Sequence, residues 1–219
     1  LEGEKDELFY GGRCEKYDVN RKETRDMPDL FKFRDEQLLR AVPPEKEQHL
    51  RGKIGIPYVF FFSDYLPFWA TFLSRLQFDL EVSPPPNRQI IDLGLESTLS
   101  EACFPVKVAI GHIRHLKEQG VDVLFLPSFV NMNTLNDEYA LGATCPHTQS
   151  IPYIGRLAVK GVEILAPVVD MSRSRKIIVN ELRRCFKRFG VTRGEIQDAM
   201  EDAEQAQTDF TRALSARGR

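Results

Sequence analysis

The chain has 219 residues, 42% of them hydrophobic and 28% charged, which is typical of a folded domain with one good-sized core. Its 30 basic and 32 acidic side chains give a net charge of −2, which excludes a global field that would attract nucleic acid or anionic lipid. No apolar run reaches the roughly 18 residues that a membrane span needs, and no signal peptide is visible. We therefore expect a cytoplasmic protein that binds neither nucleic acid nor membrane.

The first 50 residues are predicted to form a polar N-terminal arm with one short helix at PDLFKFRDEQLLRAV. Pro43-Pro44 and the charged EKEQH predict a linker behind it. Residues 51–219 are predicted to form one α/β domain that ends in two helices. Because the chain begins with Leu1 rather than Met and stops within a helical pattern, we expect a fragment of a larger protein.

Buried apolar strands alternate with amphipathic helices in this domain. The predicted strands are KIGIPYVFF, FDLEVS, VDVLFLPS and VEILAPVVD. The predicted helices are SDYLPFWATFLSRLQ (N-capped by Ser63 or Asp64), NRQIIDLGLES, PVKVAIGHIRHLKEQG, SIPYIGRLAVKG, SRKIIVNELRRCFKRFG and a long helix from TRGEIQ to the end. A loop is predicted from Phe129 to Thr148. This alternation predicts a parallel sheet flanked by helices on both faces, with ligands outside the carboxyl ends of the strands.

Two of the four cysteines stand at the start of predicted helices. Cys103 precedes Phe104-Pro105 and a predicted helix. Cys145 directly precedes Pro146, and HTQSIPYIGRLAV after it also has a helical pattern. A helix N-terminus favours a thiolate, which is the form that binds metals. Free cysteines are also often small buried apolar side chains, so the residues alone leave both interpretations open.

The other two cysteines lie in different surroundings. Cys14 follows two glycines in FYGGRCEKYD, which permit close backbone approach, although it could equally be an arm cysteine without a function. Cys185 lies inside the helix NELRRCFKRFG at core-like spacing and is predicted to pack. No C-x-x-C pair occurs, which argues against a zinc ribbon or a thioredoxin-like site. Three spaced cysteines near loops suit an iron–sulfur cluster better than zinc.

The histidines give weaker signals. His112 and His115 are three residues apart on one predicted helix, which could place both on a metal, but their charged neighbours favour the polar edge of that helix. His147 is a candidate hydrogen-bond donor beside Cys145, or is simply exposed. No G-x-G-x-x-G, P-loop or G-x-S-x-G motif occurs, which argues against a self-contained dinucleotide enzyme, ATPase or hydrolase.

Four longer stretches resemble a known family. They are GGRCEKYD, IGIPYVFFFSDYLPFWATFLSRLQFDLEVSPP, ESTLSEACFPVKVAIGHIRHLKEQGVDVLFLPSFVNM and CPHTQSIPYI. Together they resemble the C-terminal part of large CoA-substrate-specific enzyme activase-related proteins, a domain of unknown function similar to 2-hydroxyacyl-CoA dehydratase subunits and double-cubane cluster proteins. The resemblance runs from about Phe9 to the last helix and is specific at E-x-C-F-P-x-K, L-P-x-x-x-N-M and C-P-x-x-Q.

The resemblance implies a Rossmann-like α/β unit that carries an iron–sulfur cluster, of the [4Fe-4S] or double-cubane type, on Cys14, Cys103 and Cys145. In the isolated domain the cluster could be missing or replaced by zinc. It also implies an ATP-hydrolysing activase of the actin-like kinase superfamily as partner, which would inject a low-potential electron. Since this chain has no phosphate-binding motif, that partner would be another chain or a further part of the parent polypeptide. A homodimer is a further candidate assembly.

The matched motifs also nominate neighbours of the cysteine ligands. These are Glu101 and Lys107 near Cys103, and Gln149 after Cys145, although surface solvation is the favoured role of Lys107. The leading hypothesis is an iron–sulfur redox module of an ATP-dependent low-potential reductase, similar to the 2-hydroxyacyl-CoA dehydratase and activase systems, that is not active alone. The alternative is a structural or interaction domain of a larger protein with buried, metal-free cysteines.

Overall fold

The computed structural model describes residues 28–44, 51–98, 101–132 and 142–218. Cys14 and most of the predicted N-terminal arm lie outside these ranges. The described residues form seven α-helices and six short strands. The helices are α1 Leu30–Arg40, α2 Leu66–Arg75, α3 Arg88–Ser97, α4 Phe104–Glu118, α5 Pro146–Ala158, α6 Arg175–Phe186 and α7 Arg193–Arg217. The strands are β1 Lys53–Ile56, β2 Asp79–Val82, β3 Val123–Phe125, β4 Ser128–Asn131, β5 Glu163–Leu165 and β6 Val168–Asp170.

Four of the strands form a parallel sheet in the order β2-β1-β3-β5, flanked by the helices. The predicted α/β fold with a parallel sheet and a long C-terminal helix is therefore confirmed. The strand order reverses between β1 and β3, and such a reversal opens a crevice at the carboxyl ends of the two strands. Within the described ranges, no helix combines the length and the apolarity that crossing a bilayer requires.

Prolines interrupt two of the predicted strands. Pro127 separates β3 from β4, and Pro167 separates β5 from β6, because a proline has no N–H to donate to the ladder. The ladder resumes at once, since the backbone N–H of Ser128 donates to the carbonyl of Pro167 over 2.9 Å. The parallel pair β4-β6 therefore continues the pair β3-β5 beyond the four-stranded sheet.

Three local predictions at the ends of elements are wrong. The predicted strand KIGIPYVFF ends at Ile56, directly before Pro57, and its last two residues belong to a 3₁₀ helix. The predicted loop from Phe129 to Thr148 contains most of β4 and the start of α5, because the chain returns to strand geometry directly after Pro127. Helix α2 is capped by Tyr65 rather than by Ser63 or Asp64. A short 3₁₀ helix, Phe60–Tyr65, occupies the predicted cap positions and leads directly into α2.

An aromatic cluster fills the core between the sheet and helices α2 and α6. The ring of Trp69 lies 5.0 Å from that of Phe125, and Phe186 lies 5.7 Å from both Phe125 and Phe78. Leu38 of α1 is fully buried in the same core. Burial of rings of this size dominates the free energy of folding of such a domain.

Helix α4 is held against α3 by direct backbone contact. A Cβ atom added at Gly111 would collide with the carbonyl of Ile90, and one added at Gly94 would collide with the carbonyl of Lys107. The two glycines let the helix axes approach more closely than side chains allow. This contact fixes the position of α4 and therefore of the residue that precedes it, Cys103.

Candidate functional site

Two helices begin at the carboxyl edge of the sheet. Helix α4 leads into β3, and α5 leads into β5, each through a short connection. Because the strands are parallel, both helices run back along the sheet and start where the strands end. Cys103 is the N-cap of α4, and Cys145 is the N-cap of α5. The predicted placement of both cysteines at helix starts is confirmed.

Cys103 is exposed and makes no side-chain cap hydrogen bond. Its carbonyl accepts from the backbone N–H of Val106 over 3.0 Å, so its backbone is fixed while its thiol is not engaged. Glu101 is almost fully exposed and pairs with Lys107, with 3.5 Å between Nζ and Oε2. This ion pair spans the first turn of α4 and joins the half-buried Lys107 to the exposed Glu101.

Cys145 is exposed at the end of a segment that is tied to β4. Thr144 donates its N–H to the carbonyl of Val130 over 3.0 Å and its hydroxyl to the carbonyl of Phe129. Ala143 forms an antiparallel bridge with Asn131. The position of Cys145 is thus set by the carboxyl end of β4 rather than by a free loop.

Gln149 secures the first turn of α5 around Cys145. Its side-chain Nε2 donates to the carbonyl of Thr144 over 3.0 Å, and its own carbonyl accepts from the hydroxyl of Ser128 over 2.7 Å. His147 is exposed, one residue beyond the helix-starting Pro146. Gln149 therefore acts on Cys145 by holding the peptide that precedes it.

Cys185 has the opposite character. It is half-buried against the hydrophobic core, and this burial raises the pKa of its thiol to about 11. At neutral pH it remains a thiol. Its packing against the core confirms the prediction that it packs. The alternative prediction of buried cysteines is wrong for Cys103 and Cys145, since both are exposed N-cap residues.

Three or more metal-ligating side chains do not come together anywhere in the described ranges. Cys14 falls outside those ranges, so the three-cysteine ligand set stays a prediction. Its two described members share one edge of the sheet, and their helix N-termini bring unpaired backbone N–H groups to that edge.

His112 does not lie at the polar edge of α4, as the sequence suggested, but is fully buried. Its Nδ1 lies 2.8 Å from the hydroxyl of Ser83, which also accepts from the N–H of Tyr58. Burial, with a smaller contribution from His115, lowers the pKa of His112 to about 4. The imidazole is therefore neutral at physiological pH. Its spacing from the buried Ala109 is the signal that could have placed it in the core.

Asp170 closes the carboxyl end of β6 with a dense set of hydrogen bonds. It accepts from the hydroxyl and the backbone N–H of Ser172, from the Asn131 amide over 3.0 Å, and from Arg173 Nε over 3.0 Å. These bonds, above all that from the Ser172 hydroxyl, hold the pKa of the carboxyl below its usual value. Sequence reasoning passed over this residue because the predicted strand simply ended there.

The fold and the site together define a parallel α/β domain with two exposed thiols at the carboxyl edge of its sheet. The chain belongs to the family described as the CoA enzyme activase uncharacterised domain, which matches residues 53–219. The suspected relationship to CoA enzyme activase-related proteins is thereby confirmed. Comparison with curated proteins and with solved structures finds no significant match.

Proposed function

We propose that this chain is the iron–sulfur-binding redox module of a larger ATP-dependent, low-potential system of the CoA enzyme activase type. The observation that supports it is the contrast among the described cysteines. Cys103 and Cys145 are exposed N-cap residues at one edge of the sheet, whereas Cys185 is packed into the core. Cysteines that serve only in core packing are expected to be buried, and two of them are not expected to share an exposed position.

Cys14, Cys103 and Cys145 would hold the cluster as thiolates. The first turns of α4 and α5 present N–H groups and the positive ends of their dipoles to the negative charge that thiolate ligation brings. Gln149 would keep Cys145 in place through its bond to Thr144. When bound, a cluster of this kind supplies one-electron chemistry at low potential.

The ATP-hydrolysing step would belong to a partner of the actin-like kinase superfamily. The family description links this domain to CoA enzyme activases, while the chain itself carries no P-loop. A separate subunit or a further part of the parent polypeptide would therefore deliver the electron. An acyl-CoA or another small molecule would receive it, and assembly as a homodimer would bring two such edges together.

The proposal is tested by anaerobic reconstitution with iron and sulfide, followed by metal and sulfide analysis and an absorption spectrum near 400 nm. We expect about four iron atoms per chain in the parent protein. Cys14→Ala, Cys103→Ala and Cys145→Ala should each lose most of the iron, and Cys185→Ala, the matched control, should keep it. A Cys103→Ala protein that held as much iron as the parent would refute the assignment.

Metal analysis after aerobic purification tests the zinc alternative. Thiolates bind zinc well where iron is lacking. If the parent protein holds about one zinc per chain and the Cys103→Ala and Cys145→Ala variants lose it, the proposed ligands are correct but the metal is zinc. Zinc that persists in both variants would reject the ligand set itself.

A further inference from the structure

A cavity of about 750 Å³ lies apart from both exposed cysteines. It is bounded by the start of α2, the end of β6, the start of α6 and the second half of α7. This volume is in the range of small-molecule binding sites, which is roughly 300–1,000 Å³. No sequence motif pointed to it, because its walls come from elements far apart in the chain.

One side of the cavity is apolar and well supported. Trp69 and Met200 are almost fully buried yet contribute to its lining, together with the half-buried Met171 and Ile178. Trp69 is held within the aromatic core by its contact with Phe125 at 5.0 Å. A wall anchored in this way offers a rigid surface for an apolar group.

Three arginines and one carboxylate, that of Glu204, line the cavity. Asp170, Glu201 and Asp209 also pair with these arginines from outside the lining. Arg173 is held through Nε by Asp170 over 3.0 Å, and Arg212 is held through one terminal nitrogen by Asp209 over 3.4 Å. Arg175 donates to Glu204 over 3.2 Å. A guanidinium has five N–H donors, so these contacts orient each arginine and leave donors for an anion.

The neutral polar groups on α7 are already engaged within the protein. Gln207 donates to the carbonyl of Asp64 over 2.9 Å and accepts from the N–H of Phe68. The hydroxyls of Thr208 and Thr211 donate to carbonyls one turn earlier in the same helix. The arginines are therefore the charged donors for a ligand's anionic end, beside the neutral hydroxyl of Tyr65.

We propose that this cavity binds a small anion with an apolar body, that is, a carboxylate or phosphate monoester attached to an aromatic or branched hydrocarbon group. The guanidinium groups would take the anionic end in the bidentate manner that arginine favours. The apolar body would lie against Trp69 and Met200. The inference goes beyond the redox proposal and does not depend on it, because neither Cys103 nor Cys145 lines the cavity.

The only tryptophan of the chain, Trp69, supplies a direct readout. We would titrate the metal-free chain with 4-phenylbutyrate, phenyl phosphate, neutral 4-phenylbutanamide and inorganic phosphate, and follow tryptophan fluorescence. We expect a saturable change with at least one of the two aromatic anions. The neutral amide and inorganic phosphate should bind at least about tenfold more weakly, because the amide lacks the anionic end and inorganic phosphate lacks the apolar body. The tighter of the two aromatic anions identifies the head group.

Two exposed arginines give a matched pair of variants. Arg212 pairs with Asp209, and Arg184 pairs with Glu181, each with a carboxylate three residues earlier in its helix, but only Arg212 lines the cavity. Arg212→Gln should weaken binding of the aromatic anion by about tenfold, and Arg184→Gln should leave it unchanged. Thr211→Phe, which narrows the cavity from an exposed position, should also weaken binding.

Three results would overturn the inference. The first is the lack of a saturable change with either aromatic anion up to about 10 mM. The second is equal binding of 4-phenylbutyrate and its amide, which would leave only an apolar cleft. The third is an equal effect of Arg212→Gln and Arg184→Gln. Because no cluster is needed in these experiments, their failure leaves the redox proposal intact, and failed reconstitution leaves this inference intact.

Discussion

The Nδ1 atom of His112 lies 2.8 Å from the Oγ atom of Ser83, and both side chains are buried where β2 ends. Because the hydroxyl already accepts from the N–H of Tyr58, its own proton is available for Nδ1. This arrangement joins the sheet edge to the middle of α4 through a neutral imidazole. It also makes the stability of the domain depend on pH.

Acid is expected to destabilise the domain through His112. The pKa of His112 falls from an ordinary 6.5 to about 4 in the folded state. Between pH 6.5 and pH 4 the unfolded chain therefore binds the proton more readily than the folded chain does. Stability is therefore full above about pH 6.5 and falls as the pH approaches 4, by up to about 3 kcal/mol. Urea unfolding between pH 7 and pH 4.5 measures this loss.

Two histidine variants isolate the contribution of His112. His112→Gln should make the pH dependence of the free energy of unfolding shallower, whatever its effect at pH 7. His147→Gln, a change at an exposed histidine, should leave the dependence as it is in the parent protein. Parallel pH curves for the parent and His112→Gln would contradict the expectation.

The contact between α3 and α4 predicts opposite outcomes for two Gly→Ala substitutions. Gly111→Ala adds a Cβ that collides with the carbonyl of Ile90, which backbone movement alone can relieve. We expect a loss of about 1–3 kcal/mol in the free energy of unfolding. Gly194→Ala, in the first turn of α7 with nothing near the added atom, should be neutral or stabilising by up to about 1 kcal/mol. Equal effects in urea unfolding would contradict the close contact.

Thiol reactivity should separate the cysteines of the native chain. Exposure predicts that iodoacetamide modifies Cys103 and Cys145 readily in the metal-free protein. Cys185, half-buried and with a raised pKa, should react only after unfolding. Peptide mass spectrometry assigns the modified sites, and rapid native labelling of Cys185 at neutral pH would contradict the packing described for it.

Glu195 is expected to stabilise the start of α7 in two ways. Its carboxylate accepts from the backbone N–H of Thr192 over 2.8 Å, completing a capping box, and from Arg51 over 2.6 Å. Glu195→Ala should cost about 1–2 kcal/mol in the free energy of unfolding. Glu201→Ala, an exposed change on the same helix, should cost less than about 0.5 kcal/mol. Equal losses in thermal or urea unfolding would argue against the capping role.

Local signals in the sequence predicted most of the fold and part of the site. Pro105 and Pro146 suit the first turn of a helix, so the starts of α4 and α5, and with them Cys103 and Cys145, were predictable. The strand breaks at Pro127 and Pro167 also follow from the chemistry of proline. They were not predicted because the apolar pattern continues across both prolines. Secondary-structure signals are local and cover only a few residues.

Long-range features were not predictable in this way. The burial of His112 depends on Ser83, which lies 29 residues earlier and meets it only in the folded chain. The cavity draws its arginines from the end of β6, from α6 and from α7, and no spacing rule connects Arg173 with Arg212. The family resemblance supplied Cys14 as a predicted ligand, which local patterns alone would have missed and which lies outside the described residues.

The anchoring of Cys145 to β4 has a practical consequence for protein engineering. Met132 donates its N–H to the carbonyl of Gly142 over 2.9 Å, so the chain is fastened to itself on either side of residues 133–141. The bonds of Thr144 to Phe129 and Val130 hold the backbone directly before Cys145. A spectroscopic label at the exposed Ala143, whose backbone is bridged to Asn131, would therefore be a reporter two residues from Cys145 at a fixed point of the chain.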